Sequence, residues 1–293
     1  MPDQLYTQRF GDRKEGRMLR SLSLGEHMAP YFVPRDDAGR CFTDSVELGG
    51  IEEWLRARRE ENLPGLGMLH LLAAAYVRTL ALCPGLNRFI SGQRLYARYG
   101  IEVVMAVKRS QAEREGESTV KVAFSPEDTI YDVYRRIGER VDALRADERR
   151  SRWERMAGVL TGLPGPLAKF AVWSVRLLDG FDWLPRGWLE DSPFHGSVMI
   201  ADLGGPGAPC VARSLNRFGN LPVLISMGGR RRAFVPDASG EVAERQYIDY
   251  SVVFDGRIAD PLYCAGAFRH LKRYLGNPAL LELPPERVAE DVF

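Results

Sequence analysis

The residues of this chain whose types and spacing could do chemistry gather in two stretches. The first is the turn Asp255-Gly256-Arg257, with Asp260 close behind. A carboxylate such as Asp255 could take a proton from a thiol or a hydroxyl. It could equally cap or brace the turn. Nothing in the neighbouring sequence would raise its pKa, so the brace is the stronger reading. The second stretch is Gly196–Gly204, GSVMIADLG, preceded by His195. An imidazole near the end of a strand can act as a base or hold a ligand. The plainer reading is a partly buried His satisfied by backbone. Of the other histidines, His27 lies in a polar stretch, while His70 and His270 fall on helical segments. Gly204-Gly205-Pro206-Gly207 lacks the Lys and the spacing of a phosphate loop and reads as a strand-ending turn. The run Gly229-Arg230-Arg231-Arg232 reads as a solvated turn or a contact for one anionic group.

The turn needs a strand before it and a helix after it, and the sequence supplies both. Ile248, Tyr250, Val252 and Phe254 alternate with Asp249, Ser251 and Val253, the period of a strand. Asp260 followed by Pro261 starts a helix: the carboxylate caps open backbone N–H groups, and Pro fits the first helical position. Leu262, Ala265, Phe268, Leu271 and Leu275 then share one face, and Gly276-Asn277-Pro278 ends it. Upstream, residues 62–83 carry a helix that follows the turn Asn62-Leu63-Pro64-Gly65 and is apolar over most of its circumference from Met68 to Leu82, which predicts a buried helix. It stops at Cys83-Pro84-Gly85-Leu86-Asn87, before short strands at Arg88–Ile90 and Arg94–Tyr96. Ile101–Val107, Thr119–Phe124 and Leu221–Met227 read as further strands, and 42–48 as another. Pro30–Val33 reads as the start of a strand, and residues 1–30 as an arm with a weak apolar stripe at Met18, Leu19, Leu22 and Leu24. A helix with an Arg- and Glu-rich outer face follows Pro126. The charged stretch Ser110–Ser118 reads as a loop. Residues 150–190 read as a helical insertion that holds four of the five tryptophans.

Composition narrows the function classes. Lys and Arg number 40 against 39 for Asp and Glu, which gives no electrostatic reason to expect nucleic acid. Cys41, Cys83, Cys210 and Cys264 are far apart and form no C-x-x-C pair. They read as reduced thiols of a cytoplasmic protein, without a disulfide frame or a metal site. The N-terminal residues are polar and carry no apolar signal segment. Leu167–Leu178 is the nearest thing to a membrane span. It contains Lys169 and Arg176 and reads as a core or surface-lying helix.

The order of these elements, with the turn Asp255-Gly256-Arg257, Asp260, Asn277-Pro278 and Leu280-Leu281, resembles the chloramphenicol-acetyltransferase-like superfamily. It is similar in particular to the catalytic domain of the acyltransferase component of 2-oxo-acid dehydrogenase complexes, in a small stand-alone form. Gly196–Gly204 resembles that family's G-x-x-x-I-S-N-L-G, with Ala201 at the Ser position and Asp202 at the Asn position. The family's turn reads D-H-R-x-x-D-G, and Gly256 stands at the His position. The resemblance implies an α/β fold: a two-layer sandwich with a mixed sheet and helices packed on one face, one domain over 1–293. It implies a homotrimer with a channel at each subunit interface, binding an acyl-CoA or another small acyl thioester. It also implies a salt bridge from Asp260 to an N-terminal Arg, Arg17 or Arg20, as an alternative to the helix cap. Since the usual base and oxyanion donor are replaced, the expected activity is weak or atypical. Asp255 and His195 are the candidate substitutes for the base. A non-catalytic trimeric scaffold or binding protein is the competing expectation.

Overall fold

The computed structural model describes residues 8–108, 117–146, 152–204, 208–236 and 240–292. Most of the charged loop Ser110–Ser118 and part of the glycine-rich turn at 204–207 lie outside the described residues. In chain order the strands are β1 (Gly16–Met18), β2 (Gly39–Glu47), β3 (Arg88–Ser91), β4 (Arg94–Arg98), β5 (Ile101–Lys108), β6 (Glu117–Phe124), β7 (Val198–Asp202), β8 (Val223–Pro236) and β9 (Val242–Asp255). The helices are α1 (Leu24–Phe32), α2 (Gly49–Glu61), α3 (Met68–Leu82), α4 (Ile130–Ala146), α5 (Arg152–Thr161), α6 (Gly165–Gly180), α7 (Arg186–Asp191) and α8 (Pro261–Gly276).

Six strands form one mixed sheet in the order β2-β9-β8-β7-β5-β6. β7 runs parallel to both β5 and β8, and the other pairs are antiparallel. Alternation along the strands divides their side chains between two faces. Val103, Met105, Val198, Ile200, Ile225 and Val252 join the main core beneath α3 and α8. Met199, Leu224 and Val253 point the other way and pack with Leu215. This is the expected two-layer sandwich with helices on one face. α3 is its centre: eleven of its residues are buried, as its nearly continuous apolar sequence requires. A small sheet, β1-β4-β3, is attached.

Two expected elements differ. Pro30–Val33 is not a strand; Tyr31 and Phe32 close α1. The reason is a capping box upstream. Ser23 Oγ accepts from Glu26 N, and the Glu26 carboxylate accepts from Ser23 N at 2.9 Å, which starts a helix that runs past Pro30. The arm's apolar stripe divides accordingly, with Leu19 buried on the body and Leu24 79% exposed. The second difference is at Arg230–Arg232, which is no turn. β8 passes through it with a bulge between Met227 and Arg230, because β9 supplies an equally long antiparallel partner. The three arginines sit on this exposed ladder, paired with Glu52, Asp249 and Glu244.

His70 lies in the first turn of α3, where its Nδ1 accepts from Gly67 N at 3.2 Å and its ring packs on Tyr134. Burial pulls its pKa from 6.5 down to about 4. The folded state therefore resists a proton that the unfolded chain accepts. This contribution to stability is fully present above about pH 6.5 and is lost as the pH falls towards about 4. In urea titrations across this window, His70→Gln should flatten the part of the acid slope that this group contributes.

Candidate functional site

The turn after β9 is held by its own backbone and by one ion pair. Asp255 N donates to Pro222 O, and Gly256 N donates to Ala38 O, each at 2.9 Å. Asp255 is 1% exposed, and its carboxylate is gripped from one side. Arg257 donates from Nε to Oδ1 at 2.8 Å, from Nη2 to Oδ2 at 2.7 Å, and from its backbone N to Oδ1 at 3.1 Å. Its remaining Nη1 donates to Val33 O at 3.0 Å, tying the end of α1 to the turn. Both carboxylate oxygens thus hold the arginine, and the geometry is that of a brace.

Gly256 has an ordinary backbone conformation, outside the left-handed region. A Cβ placed there would lie 3.0 Å from Arg40 Cγ and 3.2 Å from Ala38 O. The space a side chain at 256 would need is therefore taken up by Arg40. Its Nη1 donates to Asp37 O and Gly39 O. A guanidinium does not act as a base. Cys264, in the first turn of α8, is no substitute nucleophile, since burial pushes its thiol up to about 12.

Asp260 is exposed and caps α8, accepting from Leu262 N at 2.9 Å and from Tyr263 N at 3.4 Å. The expected salt bridge to Arg17 or Arg20 is not what the fold makes. Arg17 donates to the carbonyls of Asp291 and Val292. Arg20 donates to Phe10 O and lies 3.5 Å from Asp12. The cap prevails because Pro261 begins the helix beside Asp260, leaving its carboxylate at the open N–H groups. A buried pair is present elsewhere: Arg88 grips Asp291 with Nε at 2.8 Å and Nη2 at 2.6 Å.

His195 is fully buried, and it sits in a chain of partners that the sequence reading did not find. Its Nδ1 is 2.7 Å from Ser192 Oγ, and its Nε2 is 3.2 Å from Asp179 Oδ1, at the end of α6. With Nε2–H donating to the carboxylate, Nδ1 accepts from the Ser192 hydroxyl. Phe218 packs edge-on against the ring at 5.6 Å. Both ring nitrogens are occupied and no surface is left for a substrate. The residue is a staple between α6 and the segment before β7. It is satisfied by side chains, where backbone partners were expected. Ser192-x-x-His195 could have suggested half of it; Asp179 belongs to a different element.

Ala201 and Asp202 close β7. Ala201 pairs with Ser226, and Ser226 pairs in turn with Ser251 on β9. The Ser226 hydroxyl lies beside the Ala201 position, but it bonds Val211 N, Val211 O and Ser251 Oγ. Asp202 is exposed, and its Oδ1 accepts from Gly204 N at 2.9 Å, shaping the turn. A cavity of about 550 Å³ opens here. Asp202, Gly204, Met227, Arg56, Arg59 and Arg230 are among its lining residues.

Register fixes the distance between the two stretches. Ser251 is level with Ala201, and Gly256 is five residues further along β9. Five residues of strand span about 16 Å. Within one chain, positions 201 and 256 do not meet. Among the described residues no cluster of His, Cys, Asp and Glu could hold a metal ion.

No family model matches the sequence, and no curated protein matches it. Solved structures do match by fold. A dihydrolipoamide acetyltransferase from Azotobacter vinelandii, whose catalytic mechanism was probed at a Ser, a His and an Asn, aligns over 94% of this chain and 96% of its own. The TM-score is 0.57 and the identity 16%. A chloramphenicol acetyltransferase aligns over 89% of this chain and 99% of its own, at TM-score 0.53 and 13% identity. A probable dihydrolipoamide acetyltransferase from Listeria monocytogenes aligns over 86% and 88%, at 0.54 and 14%.

Disrupting the brace should be costly and disrupting the cap should not. Asp255→Asn strands a buried guanidinium, and its urea midpoint should correspond to a loss of about 3 kcal/mol. Asp260→Asn keeps a capping side chain and should stay within about 0.5 kcal/mol of the parent.

Proposed function

We propose that this chain, which has the chloramphenicol-acetyltransferase-like fold, binds an acyl-CoA or pantetheine-like thioester between copies of itself and transfers the acyl group weakly or not at all. The carrying observation is at Gly256. The position that would offer a base offers none, Arg40 fills the space beside it, and the two candidate substitutes, Asp255 and His195, are both engaged in side-chain hydrogen bonds. In the Azotobacter protein the probed His and Asn stand four positions apart. Gly256 and Asp260 have the same spacing, with neither residue type retained.

Transfer from a thioester requires an acceptor thiol or hydroxyl to attack the carbonyl while CoA leaves as thiolate. The acceptor's proton ends on that thiolate, and a positioned base carries it. Losing such a base alone costs roughly two to four decades in rate. Ala201 also leaves no hydroxyl for the developing oxyanion. Binding is a separate matter. Arg56, Arg59 and Arg230 line the cavity beside Asp202 and Glu52; Glu52 holds Arg230, so Arg56 and Arg59 are the setting for the phosphates of CoA. The separation of about 16 Å between the two stretches supports assembly from several copies, a homotrimer by analogy of fold, since only a neighbouring chain could bring them together. Four free cysteines fit a reducing, cytoplasmic setting. A trimeric scaffold that binds no thioester is the second reading, favoured by the same occupied position at Arg40.

Incubation with acetyl-CoA and a simple thiol, following free CoA, should give turnover far below the enzyme median of about 10 per second. Gly256→His with Ala201→Ser and Arg40→Ala should raise it, because the backbone at 256 is ordinary and, with the Arg40 side chain removed, only the Ala38 carbonyl at 3.2 Å has to yield by a few tenths of an ångström. Calorimetry should show CoA binding to the parent, weakened about tenfold by Arg56→Glu. Wild-type turnover near the median would overturn the weak-transfer reading, and absence of CoA binding would favour the scaffold.

A further inference from the structure

We propose that the outward face of α6, together with the cavity at its C-terminal end, docks on a membrane carrying anionic phospholipid. α6 is built the wrong way round for a helix whose outer face meets water. None of its residues is buried, and its half-buried side carries Ala168, Ala171 and Ser174 with Val175 and Asp179, without an aromatic or a Leu. The large apolar residues point outward. At roughly 100° per residue, Phe170, Trp173 and Leu177 form one stripe. They are 64%, 56% and 45% exposed. The apolar surface continues beyond the helix at Phe181 and Trp183, 61% and 69% exposed. The aromatic rings stand in pairs, Phe170 with Trp173 and Phe181 with Trp183.

Charge is arranged to match. Lys169 and Arg176, seven residues apart, lie along one flank of that stripe and are exposed. The one acid of α6, Asp179, is turned inward to His195 and Arg13. At the end of the helix Arg176 joins Arg35, Arg217 and Arg257 around a cavity of about 330 Å³. Asp255 holds Arg257, and Asp36 pairs with Arg217. Arg35 spends its donors on two backbone carbonyls, those of Asn216 and Leu221. Among the described residues neither Arg35 nor Arg176 has a carboxylate within ion-pair distance. Asp179 also lines this cavity, and Asp255, Asp179 and Asp36 act on Arg35 at longer range, so the exposed Arg176 is the guanidinium left for an anionic headgroup phosphate, while the aromatic stripe enters the acyl boundary beside it.

A two-fold contact of the stripe with a second copy is disfavoured, because it would bring Lys169 and Arg176 against their own counterparts with no outward acid on α6 to answer them; a three-fold contact would show as self-association. Nor does the helix cross a bilayer: no helix among the described residues is long and apolar enough. It would lie in the interface plane. This inference does not depend on the acyl-transfer reading.

The test is co-sedimentation of the full chain with phosphatidylcholine vesicles, with and without phosphatidylglycerol, alongside tryptophan emission. The expected result is binding and a blue shift only with phosphatidylglycerol, both lost at high salt. Trp173→Glu should abolish binding while leaving the melting temperature unchanged, since the side chain is exposed. Lys169→Glu with Arg176→Glu should weaken binding at least about tenfold. Four results would each overturn the proposal. These are no binding to phosphatidylglycerol vesicles, undiminished binding by Trp173→Glu, calorimetric binding of inorganic phosphate without vesicle binding, and concentration-dependent self-association that Trp173→Glu removes.

Discussion

A buried carboxylate–guanidinium pair two residues apart holds the end of this molecule's sheet. Asp255 ends β9 and Arg257 folds back onto it, so the strand turns within three residues and α8 begins at Pro261. The same guanidinium reaches Val33, and the neighbouring N–H groups reach Pro222 and Ala38. Three separate parts of the chain therefore converge on one ion pair. A buried pair of this kind adds little net stability compared with apolar packing, but it fixes one geometry, because either partner alone would be stranded. That rigidity is a property of the turn whether or not it takes part in chemistry.

The mixed sheet accounts for the rest of the site's arrangement. β7 runs parallel to β8, so its end at Asp202 and the turn at Asp255 open at opposite ends of the sheet. A reaction drawing on both would have to be completed by another copy of the chain. Arg40 on β2 occupies the space next to Gly256, and the hydroxyl of Ser226 next to Ala201 is already bonded. Both neighbours thus have a structural task of their own: Arg40 bonds the carbonyls of Asp37 and Gly39, and Ser226 bonds Val211 and Ser251.

The helical insertion follows a different rule from the body. In α3 the apolar residues face in on nearly every side. In α6 mostly small residues and Val175 face in and the aromatics face out, so apolar burial contributes far less to placing α6 than to placing α3. What anchors α6 is polar and lies at its end. His195 and Arg13 hold Asp179, Arg13 also reaches Gly180 O, and Lys14 holds the Asp182 backbone.

The sandwich was legible through the resemblance that the order of elements carries, and the helix cap at Asp260 and the absence of a base at 256 were legible directly, because they depend on local capping and residue identity. The alternation in β9 and the apolar run of α3 could satisfy their burial in few other ways. Pro30–Val33 was misread because four residues of strand-like composition were outweighed by the capping box before them. Leu167–Leu178 had an ambiguous pattern, apolar but charged, and only packing decided that its small face turns inward. Tertiary structure alone assembled Ser192, His195 and Asp179, placed Arg40 beside Gly256, separated Ala201 from Gly256 and sent Arg17 to the C-terminal segment. Each of these joins residues from different elements, and contacts across elements are set by strand register and layer packing, which a one-dimensional pattern does not contain.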